Sequence, residues 1–486
     1  MEKITVDVAI IAAGPAGLAA AAQAAEDGLK VAVFEKANVA GGAANMGMGP
    51  FAVESKLQQR GMVNLTKEEA FKKFMDYNHW KVDAKIVHDY FWKSAETIDW
   101  LMAMGVEFFA AMKNFPESEP TWHVVKPENG VPGMRCAGAM ARKMVEHCNE
   151  LGVQFFYSTP ATKILTEDGK VTGVLAKGAD GTEYQADAKA VIIATGGFAT
   201  NPEMVKEYTG YTVFQDMFDF MIPGITGDGL RMAWEAGAGK GRMMMEKIPG
   251  FTIAEAAIGQ LPQVMLFFQG GPIAVNKLGK RVASEEAMQN HSVCANIIDI
   301  QPERSVYRIA DEKMVRYYSK HGLDFPSEVM PGDPTENFDE EWTQAAARYP
   351  GNAFVADSIA DLARQIGMPA EALEETIEEY NDMCNEKYDE FGKNRRYLVP
   401  FRGGKLYAYR MSIGAYGSLG GIKINSDYEV VTEDWKVIEG LYAAGNDACE
   451  IYNGTYDYFF PGNTMGFALN SGRIAAENAA DYIRRK

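Results

Sequence analysis

Apolar and polar positions along this chain fall into blocks that predict strands and helices in alternation. Asp7–Ile11 is a short, β-branched apolar run of the kind buried on both faces in a parallel sheet. Leu18–Ala25 is alanine-rich and predicts a helix, Gly28 ends it, and Val31–Phe34 predicts a second strand closing on Glu35. Residues 67–105 return to helical spacing, with Thr66 as a cap and Ile98, Leu101, Met102 and Val106 repeating along one face. Met134–Leu151 predicts another helix and Val153–Tyr157 a strand. Asp168-Gly169 and Asp180-Gly181 are hairpin signals between alternating runs. They lead to an apolar strand, Ala190–Ala194, that ends in Thr195-Gly196-Gly197, and Gly227-Asp228-Gly229 then opens a helix over Leu230–Ala238.

From about Met245 to Phe401 the pattern changes. Glu- and Lys-rich helices alternate with prolines, Val275–Arg281 predicts a hairpin, and Ile359–Phe391 is mostly helical. The last eighty or so residues resume the earlier style, with a strand over Gly440–Ala444 running into Gly445-Asn446. Pro461–Gly466 is a turn that opens a helix over Phe467–Arg484. The expected organisation is therefore one α/β domain built from residues 1–245 and 403–486, interrupted by an inserted α+β domain over 246–402.

The first fifty residues carry the clearest chemistry. Strand, turn, helix and second strand with an acid at its tip form a Rossmann-like unit. Its glycines let backbone N–H groups approach a pyrophosphate, and its acid can accept hydrogen bonds from a ribose. The first glycine of the G-x-G-x-x-G turn is here Ala12, whereas Gly14 and Gly17 remain, so a methyl group stands where the turn is tightest. Small residues crowd Gly41–Gly49, where a flat ring could lie against the backbone.

Composition narrows the partners. The 486 residues are 47% hydrophobic and carry a net charge of −18, which disfavours nucleic acid and anionic membranes. Five scattered cysteines form no C-x-x-C, so no metal, haem or iron–sulfur site is expected, and a reducing compartment is. The N-terminus enters the first strand at once and no apolar run reaches eighteen residues, so a cytoplasmic protein without membrane insertion is expected.

Taken in order, these motifs resemble the flavoprotein superfamily of fumarate reductases, succinate dehydrogenases and 3-ketosteroid Δ1-dehydrogenases. Besides the first unit they include Gly41-Gly42, Ala194–Gly197, Gly227–Gly229, the Val275–Arg281 hairpin, Gly440–Gly445, and Tyr380-Asn381, Asp389, Phe391-Gly392 and Pro400-Phe401. The resemblance implies FAD bound in the Rossmann-like domain, a capping domain over the substrate, and hydride transfer between flavin N5 and an activated C=C or a saturated C–C bond. It assigns cofactor contacts to Ala13, Gly14, Pro15, Ala16, Gly17, Glu35, Lys36, Gly41, Gly42, Ala43 and Ala161. Further along the chain it assigns them to Ala194, Thr195, Gly196, Asp228, Gly445, Asn446, Gly462, Asn463, Thr464 and Met465. With no histidine in Gly41–Gly49, the FAD is expected to be non-covalent. No second dinucleotide unit is visible, so NAD(P)H, free reduced flavin or a redox protein remain open as electron donors.

The chain departs from this family at the substrate. Where fumarate reductases place a carboxylate-clamping arginine it has Phe459, and near their proton-donating arginine it has Gln289. Bidentate carboxylate recognition needs a guanidinium. Ketosteroid dehydrogenases have a tyrosine where this chain has Phe460, yet Tyr452, Tyr456 and Tyr458 lie just upstream. These phenols, with Tyr416 where the insertion rejoins and His291 near the family's proton-donor position, are the candidate acids; surface exposure is the simpler reading of His291, and His123 is a weaker candidate. Met217-Phe218, Phe220-Met221, Met243–Met245 and Met265–Phe268, with Phe459 and Phe460, suggest a small hydrophobic substrate. The expected reaction is reduction of a hydrophobic or aromatic α,β-unsaturated carbonyl compound. Ketosteroid-type dehydrogenation and fumarate- or urocanate-like reduction are alternatives, and an electron-carrying flavoprotein is a further one.

Overall fold

The computed structural model describes residues 1–251, 263–269, 271–325 and 334–486. The core is an eight-stranded sheet whose central strands are parallel. Its order is Glu429–Val431, Val437–Ala443, Lys170–Lys177, Glu183–Ile193, Glu2–Ile11, Val31–Phe34 and Gln154–Phe156, with Ala161–Glu167 paired to Lys170–Lys177. The β-branched run is thus a ten-residue strand whose inner half is shielded on both faces. Register aligns the carboxyl ends: Ile11 pairs with Phe34 and Ile193, Phe34 with Phe156, and Ile193 with Ala443. The turns that follow these strands therefore converge on one edge of the sheet, where α/β folds place their ligands.

Two helices cover the sheet beside that edge. The helix Pro15–Glu26 is buried over nearly its whole length because alanine lets it pack closely. It lies against the closing helix Asn463–Arg484 so tightly that a Cβ on Gly472 would come within 2.2 Å of the Ala16 carbonyl oxygen. The helix expected over Met134–Leu151 begins only at Gly138, after Arg135 takes a left-handed conformation. Thr66 caps Lys67–Tyr77 through a reciprocal box with Glu69.

A second, six-stranded sheet is organised on the seventeen-residue strand Leu406–Ile422. Lys240–Phe251, Ser305–Asp311, Ala353–Ala356 and the short Met217–Asp219 all pair with it. The strand 240–251 runs straight through the expected boundary at 245/246 and pairs with 406–422, which begins just past the expected boundary at 402/403. The Val275–Arg281 hairpin closes as expected. Beneath it lies an ion cluster, in which Glu285 bridges Arg281 at 2.8 Å and Lys393 at 3.1 Å while Asp389 meets Arg281, each side chain at most 3% exposed.

Candidate functional site

Each turn at the sheet edge has a local reason for its shape. Ala12 sits at φ +82°, a conformation that costs an alanine about 1 kcal/mol relative to glycine. Gly17 cannot be replaced in the same way, since a Cβ there would stand 2.0 Å from the Ala12 carbonyl oxygen. Gly14 caps the helix Pro15–Glu26 without a side-chain partner, which leaves the first-turn amides open for an anion. Glu35 is anchored by the amides of Ala13 and Ala37, both at 2.7 Å. Beside it Lys36 reaches across to Asp228 at 2.6 Å and Thr226 at 2.8 Å. Burial pushes the Asp228 carboxyl up, but the hydrogen bond and charge of Lys36 hold it below the usual carboxylate range.

These turns enclose a cavity of about 820 Å³. Pro15, Ala16, Gly14, Glu35, Lys36, Ala161 and Asp228 line it, followed by Ala194, Thr195, Gly196, Gly445 and Asn446. Gly42, Ala43, Gly47, Gly462, Thr464 and Met465 line its other part. Four assigned contacts do not line it. Gly17 serves helix–strand packing, the Ala13 amide is bound to Glu35, Gly41 turns the chain at φ +110°, and Asn463 accepts from the Tyr452 hydroxyl. Gly462, at φ +83°, starts the closing helix with no side-chain cap.

The phenols gather where the closing helix begins. Tyr416, Tyr456 and Tyr458 line the cavity, and Tyr416 and Tyr458 share a hydrogen bond. Tyr456 accepts the Thr464 amide at 3.3 Å. Burial, then the nearby Glu246, raise the Tyr416 hydroxyl to about 12, and the same two causes raise the Tyr456 hydroxyl well above its ordinary value. Tyr452 does not reach the cavity: its hydroxyl is bound to Asn463 at 2.9 Å and its ring packs on Phe74 and Tyr456. His291 is not a surface histidine. It lines the cavity with its ring 5.0 Å from that of Tyr458, its Nδ1 has no hydrogen-bond partner, and burial lowers it to about 4. His123 is locked in the core between Ser55 and the Thr121 carbonyl.

The apolar expectations are corrected in part. Phe459 packs between Tyr77 and Phe115, and Phe460 among Phe51, Phe74 and Phe91, so neither lines the cavity. Phe267 and Phe268 belong to a core around Phe338 and Trp342. Met217 and Met245 are buried in the core, Met221 is half-exposed, and the side chain of Leu266 lies outside the described residues. Phe220 does line the cavity, with its ring 4.6 Å from Tyr416, and Trp122, Met46 and Met48 join it. Gln289 is buried without reaching the cavity.

Two acids at this edge were not anticipated from the sequence. Asp447 is fully buried and accepts from the Thr195 amide and hydroxyl and the Gly197 amide, tying two of the turns together. Burial raises it to about 6 against those hydrogen bonds. Glu246 lines the cavity and accepts from the Thr464 hydroxyl at 3.1 Å. Burial pushes it up to about 8, with only the Thr464 bond opposing. Its one sequence signal is a carboxylate directly after the apolar Met243–Met245.

Comparisons with known proteins agree with this geometry. Residues 7–458 match the family model described as FAD binding domain. The vinyl phenol reductase of Lactiplantibacillus plantarum is 32% identical over 99% of this chain and 97% of its own length. The cytochrome fumarate reductase of Shewanella frigidimarina is 27% identical over 99% of this chain and 78% of its own. Among solved structures, the 3-ketosteroid-Δ4-(5α)-dehydrogenase of Rhodococcus jostii superposes with a TM-score of 0.78 at 22% identity, covering 99% of this chain and 98% of that one. No helix among the described residues is long and apolar enough to cross a membrane. The chain belongs to the FAD binding domain family and is an FAD-dependent oxidoreductase acting on C=C or CH–CH bonds.

Proposed function

We propose that the enzyme reduces an activated C=C bond in a neutral hydrophobic or aromatic compound, an α,β-unsaturated carbonyl or a hydroxystyrene. The observation that carries this reading is the character of the cavity's substrate end. Phe220, Tyr416, Tyr456, Tyr458, His291 and Glu246 meet there. Among the described lining residues the cations are Lys36, paired with Asp228, and Arg135, whose backbone bonds to Met46. The position of the fumarate reductase clamp is filled by Phe459, turned into the core, so a dicarboxylate finds no guanidinium there. The vinyl phenol reductase relative supports an aromatic substrate.

The residues present fit FAD. The open amides after Gly14 face a pyrophosphate, Glu35 a ribose, and the uncapped start of the closing helix an electron-rich ring edge. When bound and reduced, FAD supplies the hydride for one alkene carbon. Tyr458 or Tyr456 protonates the other carbon and stabilises charge as it develops. Neutral His291 and the aromatic rings exclude water from that end. FAD is held non-covalently, and NAD(P)H, free reduced flavin or a redox protein recharges it. A cytoplasmic setting agrees with five free cysteines, four of them buried.

The test is an anaerobic screen. Acid should release FAD from the yellow protein. Dithionite-reduced enzyme should be reoxidised quickly by vinylphenols or aromatic enones and slowly by fumarate or urocanate. Fast reoxidation by fumarate alone would overturn the assignment, and bleaching of oxidised enzyme by a ketosteroid would reverse the direction.

A further inference from the structure

Glu246 occupies a singular position on the strand Lys240–Phe251. That strand pairs in antiparallel register with Leu406–Ile422, Met245 opposite Ser418 and Lys247 opposite Ala415. Glu246 alone therefore faces two residues, Tyr416 and Gly417, across a bulge, and all three line the cavity. Bulges re-aim side chains beside active sites. Glu246 is 5% exposed, and the hydrogen bond it makes, from Thr464, comes from the first turn of the closing helix. The titratable groups facing it are Tyr416, Tyr456 and Tyr458, with Tyr452 and Cys449 behind them and His291 beyond Tyr458. None of them is a cation at neutral pH. A carboxylate has no counter-charge at this place, whereas a carboxylic acid can both accept from Thr464 and donate to a phenol.

We propose that Glu246 is held as a neutral acid and resupplies the proton that the phenol pair Tyr458–Tyr416 gives to the substrate. This rests on the reductase reading above. In balance, the substrate gains a hydride at one carbon, with its electron pair from the reduced flavin. A new C–H bond forms at the other carbon as the Tyr458 O–H breaks. The phenolate left behind recovers a proton through Tyr416 from the Glu246 O–H, and the Glu246 carboxylate takes its proton from water as product leaves. The alkene is reduced and the flavin oxidised. The relay runs downhill, because a buried phenolate is a far stronger base than the Glu246 carboxylate. Glu246 is a proton-supplying residue behind the phenols, not one placed on the substrate.

The test uses oxidised holoprotein and the isosteric variant Glu246→Gln, with Glu246→Asp as the variant that keeps an acid. Infrared difference spectra across alkaline titration should show the loss of neutral carboxylic acid with a midpoint of about 8, and Glu246→Gln should remove one component of it. Asp457, fully buried between Tyr456 and Tyr458 and also pushed up to about 8 by burial, does not line the cavity, so an Asp457→Asn variant should keep the Glu246 signal. In turnover, Glu246→Gln should lower kcat about a hundredfold, the lower end of the range for general acid–base catalysis. KM and FAD content should stay near parental values, the alkaline limb of the kcat profile should disappear, and Glu246→Asp should restore part of the rate. A Glu246→Gln enzyme with parental kcat and pH profile overturns the relay, as does a carboxylic acid signal of that midpoint that persists when Glu246→Gln is combined with Asp457→Asn. If no alkene is reduced by the parent, the reductase reading and the relay fall together, while the infrared result still decides whether Glu246 is neutral.

Discussion

Two glutamates in this molecule are equally removed from water and are held in opposite protonation states. Glu285, under the hairpin of the cap, is flanked by Arg281 and Lys393 and receives the Ala274 amide. Burial alone would raise it, but the charges of Lys393 and Arg281 bring it down to about 2. Glu246, at the cavity, has phenols, a hydroxyl and a thiol as neighbours, and burial raises it to about 8. Desolvation acts on both, and the nearby cations decide the outcome. The cap cluster is thereby a fixed structural charge network, and the cavity floor is a place where a proton can be stored.

The largest effect should come from breaking the cap cluster. Glu285→Ala leaves Arg281 and Lys393 buried and undercompensated, and should cost about 3–5 kcal/mol in denaturant unfolding. Unaltered stability would mean that the two regions do not differ as described. Next, Tyr458→Phe keeps the ring and removes the hydroxyl. Single-turnover reoxidation by substrate should slow by about a hundredfold, or about 3 kcal/mol, if this phenol stabilises the developing charge. Tyr452→Phe should leave that rate near the parental value, because its hydroxyl faces Asn463 and not the cavity.

The pH dependence of stability sharpens the contrast. Glu246 binds its proton more tightly folded than unfolded, so its contribution is most favourable below about 4.5 and declines as pH rises to about 8. Glu285 behaves oppositely: its contribution is present above about 4.5 and lost as pH falls towards 2. Each unit of difference between folded and unfolded values corresponds to about 1.4 kcal/mol. Thermal melts of Glu246→Gln should therefore gain on the parent between about pH 5 and pH 8, by about 2 kcal/mol or more. A constant gap across that range would show that Glu246 is ionised throughout. The smallest effect belongs to the nucleotide end, where Ala12→Gly should relieve the left-handed alanine and raise stability by about 1 kcal/mol with FAD still bound.

The two ends of the cavity also differ in how far they could be read from the chain. The nucleotide end was legible because its parts are local. A strand, a turn, a helix start and an acid at the next strand tip lie within thirty or so residues, and units of this kind act largely through backbone amides. Gly14, Glu35, Lys36 and Asp228 line one cavity. The substrate end was legible as a set of residue types and not as a geometry. Tyr452, Tyr456 and Tyr458 are close in sequence, yet one of the three turns away because Asn463 offers its hydroxyl a buried partner. His291 reads as a surface residue until the closing segment packs Tyr458 against it. Phe459 and Phe460 read as lining and are core, because aromatic partners from distant helices surround them.

The sequence by itself determined the alternation of strands and helices, the glycine-rich turns at the sheet edge and the phenylalanine at position 459. Each of these depends on residue type and short-range spacing, which the chain states directly. Only the tertiary structure decided which acids are charged and which phenols reach the cavity. A carboxyl's state depends on whether a cation from another segment lies beside it. Arg281 and Lys393, 112 positions apart in the chain, converge on Glu285, and no cation meets Glu246 among the described lining residues around it. That convergence is a property of long-range packing, and it separates a structural ion network from a proton store built on the same side chain.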